Sequence, residues 1–130
     1  DVVICGDLRP LWNRSEDVVM WKSPTLEWPY NGAMFLANAG ARPQVWSDFD
    51  PVASPKATTA AGYRGSDQAW ISHKLGWNEA VWTQRCGVYY FGRKGIGRND
   101  PLPANARIVF TTGGNAPWTL QQDWVRKHYR

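Results

Sequence analysis

The sequence predicts an α/β domain with a mixed sheet flanked by helices, on three observations. Short apolar runs that read as strands recur at 1–5, 18–21, 88–91 and 108–111. Between the second and third lies a helix pattern with both ends marked, from Ser66 to Gly76. A last apolar stripe of Leu120, Trp124 and Val125 follows Pro117. Strands alternating with helices bury their apolar faces best as layered α/β structure.

Asp1 runs straight into Val2, Val3, Ile4 and Cys5, a composition that reads as a fully buried strand. With no turn or cap before it, this start reads as a cut through an element, so an upstream part of the protein is expected. Gly6-Asp7 reads as a turn, and Leu8, Leu11 and Trp12 as a short docking turn. Val18 to Trp21 is the second strand. Pro24 to Pro29 is a loop, because two prolines forbid regular structure there. Asn31-Gly32 reads as a tight turn, and Ala33 to Ala37 as a small-residue strand.

Pro43 is placed as the first position of a helix reaching about Phe49. The stretch Asp50 to Ala61, rich in Pro, Ser, Thr and Ala, reads as a long connection. Ser66 suits an N-cap with Asp67 in the first turn, and Gly76 ends the helix that carries Trp70, Ile71 and Leu75. Val81-Trp82, Val88 to Phe91 and Ile108 to Thr111 are strands, separated by a glycine-rich basic loop at 92–103. Pro117 is expected to open a final helix. No repeat and no internal boundary is visible, so residues 1–130 are read as a single domain.

At 130 residues the chain is one domain in size and can hold a core without staples. Its 43% hydrophobic and 20% charged residues are ordinary for a globular protein. Nine tryptophans are the outlier: they fill core and groove, or they line a groove that stacks flat ligands. The net charge of +4 suits an anionic ligand, but it is too small and too dispersed to argue for DNA. Tryptophan with positive charge gives single-stranded nucleic-acid binding only slight support. Cys5 and Cys86 offer neither metal spacing nor a disulfide framework, so a reduced, cytoplasmic setting is the default. No stretch approaches the ~20 apolar residues of a membrane span, and the amino terminus is not built as a signal peptide.

Four polar groups stand at expected strand ends or helix starts: Asp1 with Asp7, Asn31 with Gly32, Asp67 with Gln68, and Thr111 to Gly114. Ligands of open α/β sheets bind outside the carboxyl ends of the strands, which gives these groups a common address. Asp67-Gln68 is the strongest pair, placed at the positive end of its helix. Gly113-Gly114-Asn115 would let backbone amides approach a phosphate, although a glycine pair is a weak signal. His73 and His128 read as surface residues of helices.

Taken in order, these segments resemble the acceptor-side, C-terminal half of A-type-fold glycosyltransferases, in particular bacterial and phage proteins of the glycogenin and lipopolysaccharide galactosyltransferase group. Asp1 to Leu11 resembles the end of the family's Asp-x-Asp strand and the segment after it. Pro29 to Leu36 resembles its Tyr-Asn-x-Gly strand, Gly65 to Ile71 its Asp-Gln helix start, and Ile108 to Trp118 its terminal His-x-x-Gly-x-x-Lys-Pro-Trp strand and turn.

The resemblance implies transfer of a hexose from a nucleotide-sugar to an acceptor, with manganese or magnesium on the diphosphate. Asp1 would match the second metal-binding aspartate, the first lying upstream with the nucleotide-binding half. Asp67 and Gln68 would line the sugar and the reaction centre, Asn31 and Gly32 would lie near a sugar, and Gly113, Gly114 and Trp118 would shape the diphosphate loop. Two positions depart from the pattern. Phe110, Thr111 and Thr112 occupy the candidate positions of the metal-binding histidine, and Ala116 replaces the lysine that reaches the diphosphate. Phenylalanine and threonine are poor ligands for a metal normally held by imidazole and carboxylates, and a neutral alanine cannot compensate phosphate charge. Catalysis by this chain alone is therefore left open, beside the alternative of a non-catalytic carbohydrate- or partner-binding protein on the same scaffold.

Overall fold

The chain is α/β, but its strands form two three-stranded sheets instead of the one mixed sheet expected. The computed structural model describes residues 1–25, 27–64, 67–111 and 114–129. The chain divides into two compact units, residues 1–14 with 82–130, and residues 15–81.

In the first unit, β1 (Val2–Ile4) runs antiparallel to β6 (Ile108–Phe110), which pairs in parallel with β5 (Val88–Tyr90). Val3 faces Val109, and both are fully buried with Phe91, Ile96, Leu120 and Val125. The expectation of a fully buried first strand is corrected here. Strand side chains alternate between faces, so Val3 points inward while Ile4 is 44% exposed.

Leu11, on the short helix α1 (Arg9–Trp12), is buried, and its carbonyl accepts a hydrogen bond from the indole of Trp82 at 3.1 Å. Gly87 is at φ +84°, and a Cβ there would stand 2.3 Å from the Asn105 carbonyl oxygen. Only glycine fits that corner.

The closing segment is not the single helix expected from Pro117. One 3₁₀ turn, Pro117–Thr119, is followed by extended backbone at Leu120 and Gln122, and α5 spans Asp123–His128. The break lets Leu120 enter the core ahead of Val125 and Trp124. Burial thus overrides the helical spacing of the apolar stripe.

In the second unit, β2 (Val18–Lys22) pairs antiparallel with β3 (Tyr30–Ala37). On the other side of β2 lies β4 (Ala80–Trp82), whose first two residues belong to this unit. Met20 pairs with Phe35 and Trp21 with Asn31, so residues 32–34 of β3 bulge out of register. Asn31-Gly32 is therefore strand, not a tight turn. Tyr30 anchors this end: its ring is buried, and its hydroxyl accepts the Glu79 amide at 2.8 Å.

Three helices follow: α2 (Gln44–Ser47), α3 (Ala53–Ala60) and α4 (Asp67–Leu75). The expected long connection at 50–61 is thus largely helix. Asp50 starts α3: its Oδ1 accepts the amides of Val52 and Ala53 at 2.8 and 2.6 Å, and Ser54 Oγ accepts the Asp50 amide at 2.9 Å. This reciprocal pairing satisfies donors that a helix start leaves open. Helix α4 runs as expected and ends at Gly76, at φ +68°, whose amide bonds the Ser72 carbonyl at 2.9 Å. The proposed cap Ser66 lies outside the described residues.

Candidate functional site

The second unit brings together four of the sequence-predicted site residues. The bulge in β3 turns Gly32 against the first turn of α4. A Cβ at position 32 would stand 3.4 Å from Asp67 Oδ2 and 3.8 Å from Gln68 Cβ. Without a side chain on Gly32, the strand backbone lies close beside the helix start. Asp67 is exposed and Gln68 half-buried there. Next along the strand, Asn31 folds its Oδ1 back onto the Ala33 amide at 2.9 Å, which holds the bulge.

Asp67 also lines an apolar cavity of about 360 Å³. Its walls are Val45, Trp46 and Phe49 from α2 and the residues after it, Pro55 from α3, and Trp70 and Ile71 from α4. Trp70 is fixed from several sides. Its Nε1 donates to the Val45 carbonyl at 2.8 Å, Phe49 meets its ring edge-on at 5.8 Å, and Lys74 Nζ sits 5.3 Å from its ring centre. Lys74 in turn pairs with Asp48 at 2.5 Å and holds that carboxyl below the usual aspartate range. His73 is half-buried, not a surface residue, and packs against Trp70 and Tyr63.

Trp46 is 82% exposed, a large ring left open at the cavity. Two further polar side chains line the space, Ser54 and Thr58. Both are buried, Ser54 Oγ taking the Asp50 amide and Thr58 Oγ1 donating to the Pro55 carbonyl.

This cavity was not foreseen. With α3 read as loop, its far wall had no place in the sequence picture. The available signal was Asp50-Pro51 ahead of alanines, a helix start of the Asp-cap and early-proline kind.

The remaining predicted residues lie in the first unit. Asp1 is exposed, and its carbonyl accepts the Thr111 amide at 3.0 Å, extending the β1–β6 ladder. Asp7 is engaged by Arg9, whose guanidinium lies 2.9 Å from its carboxylate and lowers the Asp7 pKa chiefly by hydrogen bonding. Gly113 lies outside the described residues. Gly114 is exposed, with open space where a Cβ would be, so nothing packed against it requires a glycine. Asn115 Oδ1 accepts from Arg98 at 3.1 Å. Trp118 is 66% exposed, 6.5 Å ring to ring from Tyr129.

At the positions where the resemblance would put a metal-binding histidine, Phe110 and Thr111 are buried. Among the described residues no group of three or more His, Cys, Asp or Glu side chains could hold a metal ion.

No family model, curated protein or solved structure matches the chain. No described helix is long and apolar enough to cross a membrane. The geometry is thus the ground for a functional assignment. A carboxylate and an amide beside a glycine-bared strand can accept and donate hydrogen bonds to hydroxyls.

Proposed function

We propose that this chain is a carbohydrate-binding protein on a glycosyltransferase-like scaffold, holding a hexose at Asn31, Gly32, Asp67 and Gln68. The observation that carries it is the approach of Gly32 to Asp67 and Gln68. The resemblance assigns these residues to the sugar, and strand and helix meet there in one unit. The chemistry suits a neutral polyol. Asp67 accepts two hydroxyls and Gln68 both donates and accepts, while Gly32 lets the strand backbone lie close beside them.

The test is calorimetric titration with the methyl glycosides of glucose, galactose and mannose. Saturable binding of at least one, lost in Asp67→Ala, supports the assignment. No binding of any of the three contradicts it.

Hexosyl transfer from a nucleotide-sugar is the second reading. It is favoured by the same meeting of the positions assigned to the sugar. It is weakened by buried Phe110 and Thr111, poor ligands for such a metal, and by Ala116, which brings no charge to a diphosphate. Titration with UDP and GDP, with and without manganese, separates the two. Tight, manganese-dependent binding would favour transfer.

A further inference from the structure

We propose that the cavity beside Asp67 takes the apolar ring of a glycoside, so that the ligand is an aryl or alicyclic hexoside and not a free sugar. This rests on the hexose site proposed above and extends it to the ligand's other half.

The cavity's size is the first observation. At about 360 Å³ it falls within the range of small-molecule sites. Its lining is the second. Trp46, Phe49, Pro55, Trp70 and Ile71 present carbon, and the buried hydroxyls of Ser54 and Thr58 are already engaged with the Asp50 amide and the Pro55 carbonyl. A hexose placed inside would strip water from several hydroxyls and return few partners, and each such loss is unfavourable. An apolar ring meets no such penalty and gains aromatic contact.

The third observation is the position of Asp67, which belongs both to the cavity lining and to the Gly32 corner. A ligand whose sugar hydroxyls meet Asp67 can therefore direct its glycosidic substituent to the apolar walls. Trp70, fixed by its bond to the Val45 carbonyl and by Lys74 over its ring, gives a preformed wall. Trp46, exposed at the cavity, is the ring placed to close over the substituent.

The experiment is titration of the intact chain with 4-nitrophenyl and methyl glycosides of glucose, galactose and mannose, and with 4-nitrophenol alone. The expected result is that the aryl glycoside of the preferred sugar binds at least about tenfold tighter than its methyl counterpart. Trp46→Ala should narrow that gap; the site is too exposed for the change to threaten folding. Equal affinity of aryl and methyl glycosides would overturn the inference and leave the hexose site standing. Binding of 4-nitrophenol as tight as that of its glycosides, with no methyl glycoside bound, would overturn the hexose site and the glycoside inference with it.

Discussion

Gly32 on β3 lies against Asp67 at the start of α4, where a Cβ would stand 3.4 Å from the carboxylate oxygen. That spacing is ordinary van der Waals contact, so one methyl group fits. Gly32→Ala is expected to fold with stability within about 0.5 kcal/mol of the parent. Gly32→Leu is expected to push on Asp67 and Gln68 and to weaken hexoside binding about tenfold or more, about 1.4 kcal/mol. Thermal melts and calorimetry on both variants check this. Equal affinity in the leucine variant would separate Gly32 from the site.

Thr111 offers a second check, in the first unit. It is fully buried, its amide bonds the Asp1 carbonyl, and among the described residues its Oγ1 has no hydrogen-bond partner. A buried hydroxyl without a partner is a net cost. Thr111→Val keeps the shape and removes that cost, so it should raise stability by about 1 kcal/mol, a shift of several degrees in Tm. A fall in Tm would mean that the hydroxyl is satisfied in solution.

Asp50 makes the second unit sensitive to acid. The amides of Ala53 and Val52 hold its carboxyl below the usual aspartate range by bonding its charged form. A depressed carboxyl adds stability that is present above the unfolded-state pKa and is lost as pH falls through the lower, folded-state value. Helix α3 should therefore be fully capped at neutral pH and lose protection below the ordinary aspartate range. Amide exchange at Val52 and Ala53 across pH 2–6 reads this out. Asp50→Asn keeps a capping oxygen without the charge and should flatten the profile at those two amides. An unchanged profile would place the acid sensitivity elsewhere.

How much of this was legible beforehand depends on the kind of signal. Helix α4 was readable because Asp67 and Gly76 mark its ends by local chemistry, and β2 because four consecutive apolar residues are all buried. Asn31-Gly32 misled because the pair favours turns in isolation, whereas here Tyr30 is buried ahead of it and the strand absorbs the irregularity as a bulge. The segment after Asp50 misled because Ser, Thr and Pro suggest a loop, yet Pro55 lies in the first turn of α3, where its missing N–H costs nothing. The division into two sheets depends on pairings between residues far apart in sequence, such as Val3 with Val109, and local patterns do not carry these.

Cys5 yields a chemical prediction. Burial pushes its thiol up to about 11. Because the thiolate is the reacting form, alkylation of Cys5 by iodoacetamide at pH 8 should be at least about tenfold slower in the folded chain than in the unfolded chain. Peptide mapping after timed labelling measures it. Equal rates in the two states would show that Cys5 is open to solvent.

The most direct test of the hexose site is amide chemical-shift mapping with the tightest-binding hexoside. The account predicts saturable shifts at Asn31, Gly32 and Gln68, together with the indole signals of Trp46 and Trp70, and their loss in Asp67→Ala. Saturable shifts confined to the first unit, with Gly32 and Gln68 unmoved, would contradict it.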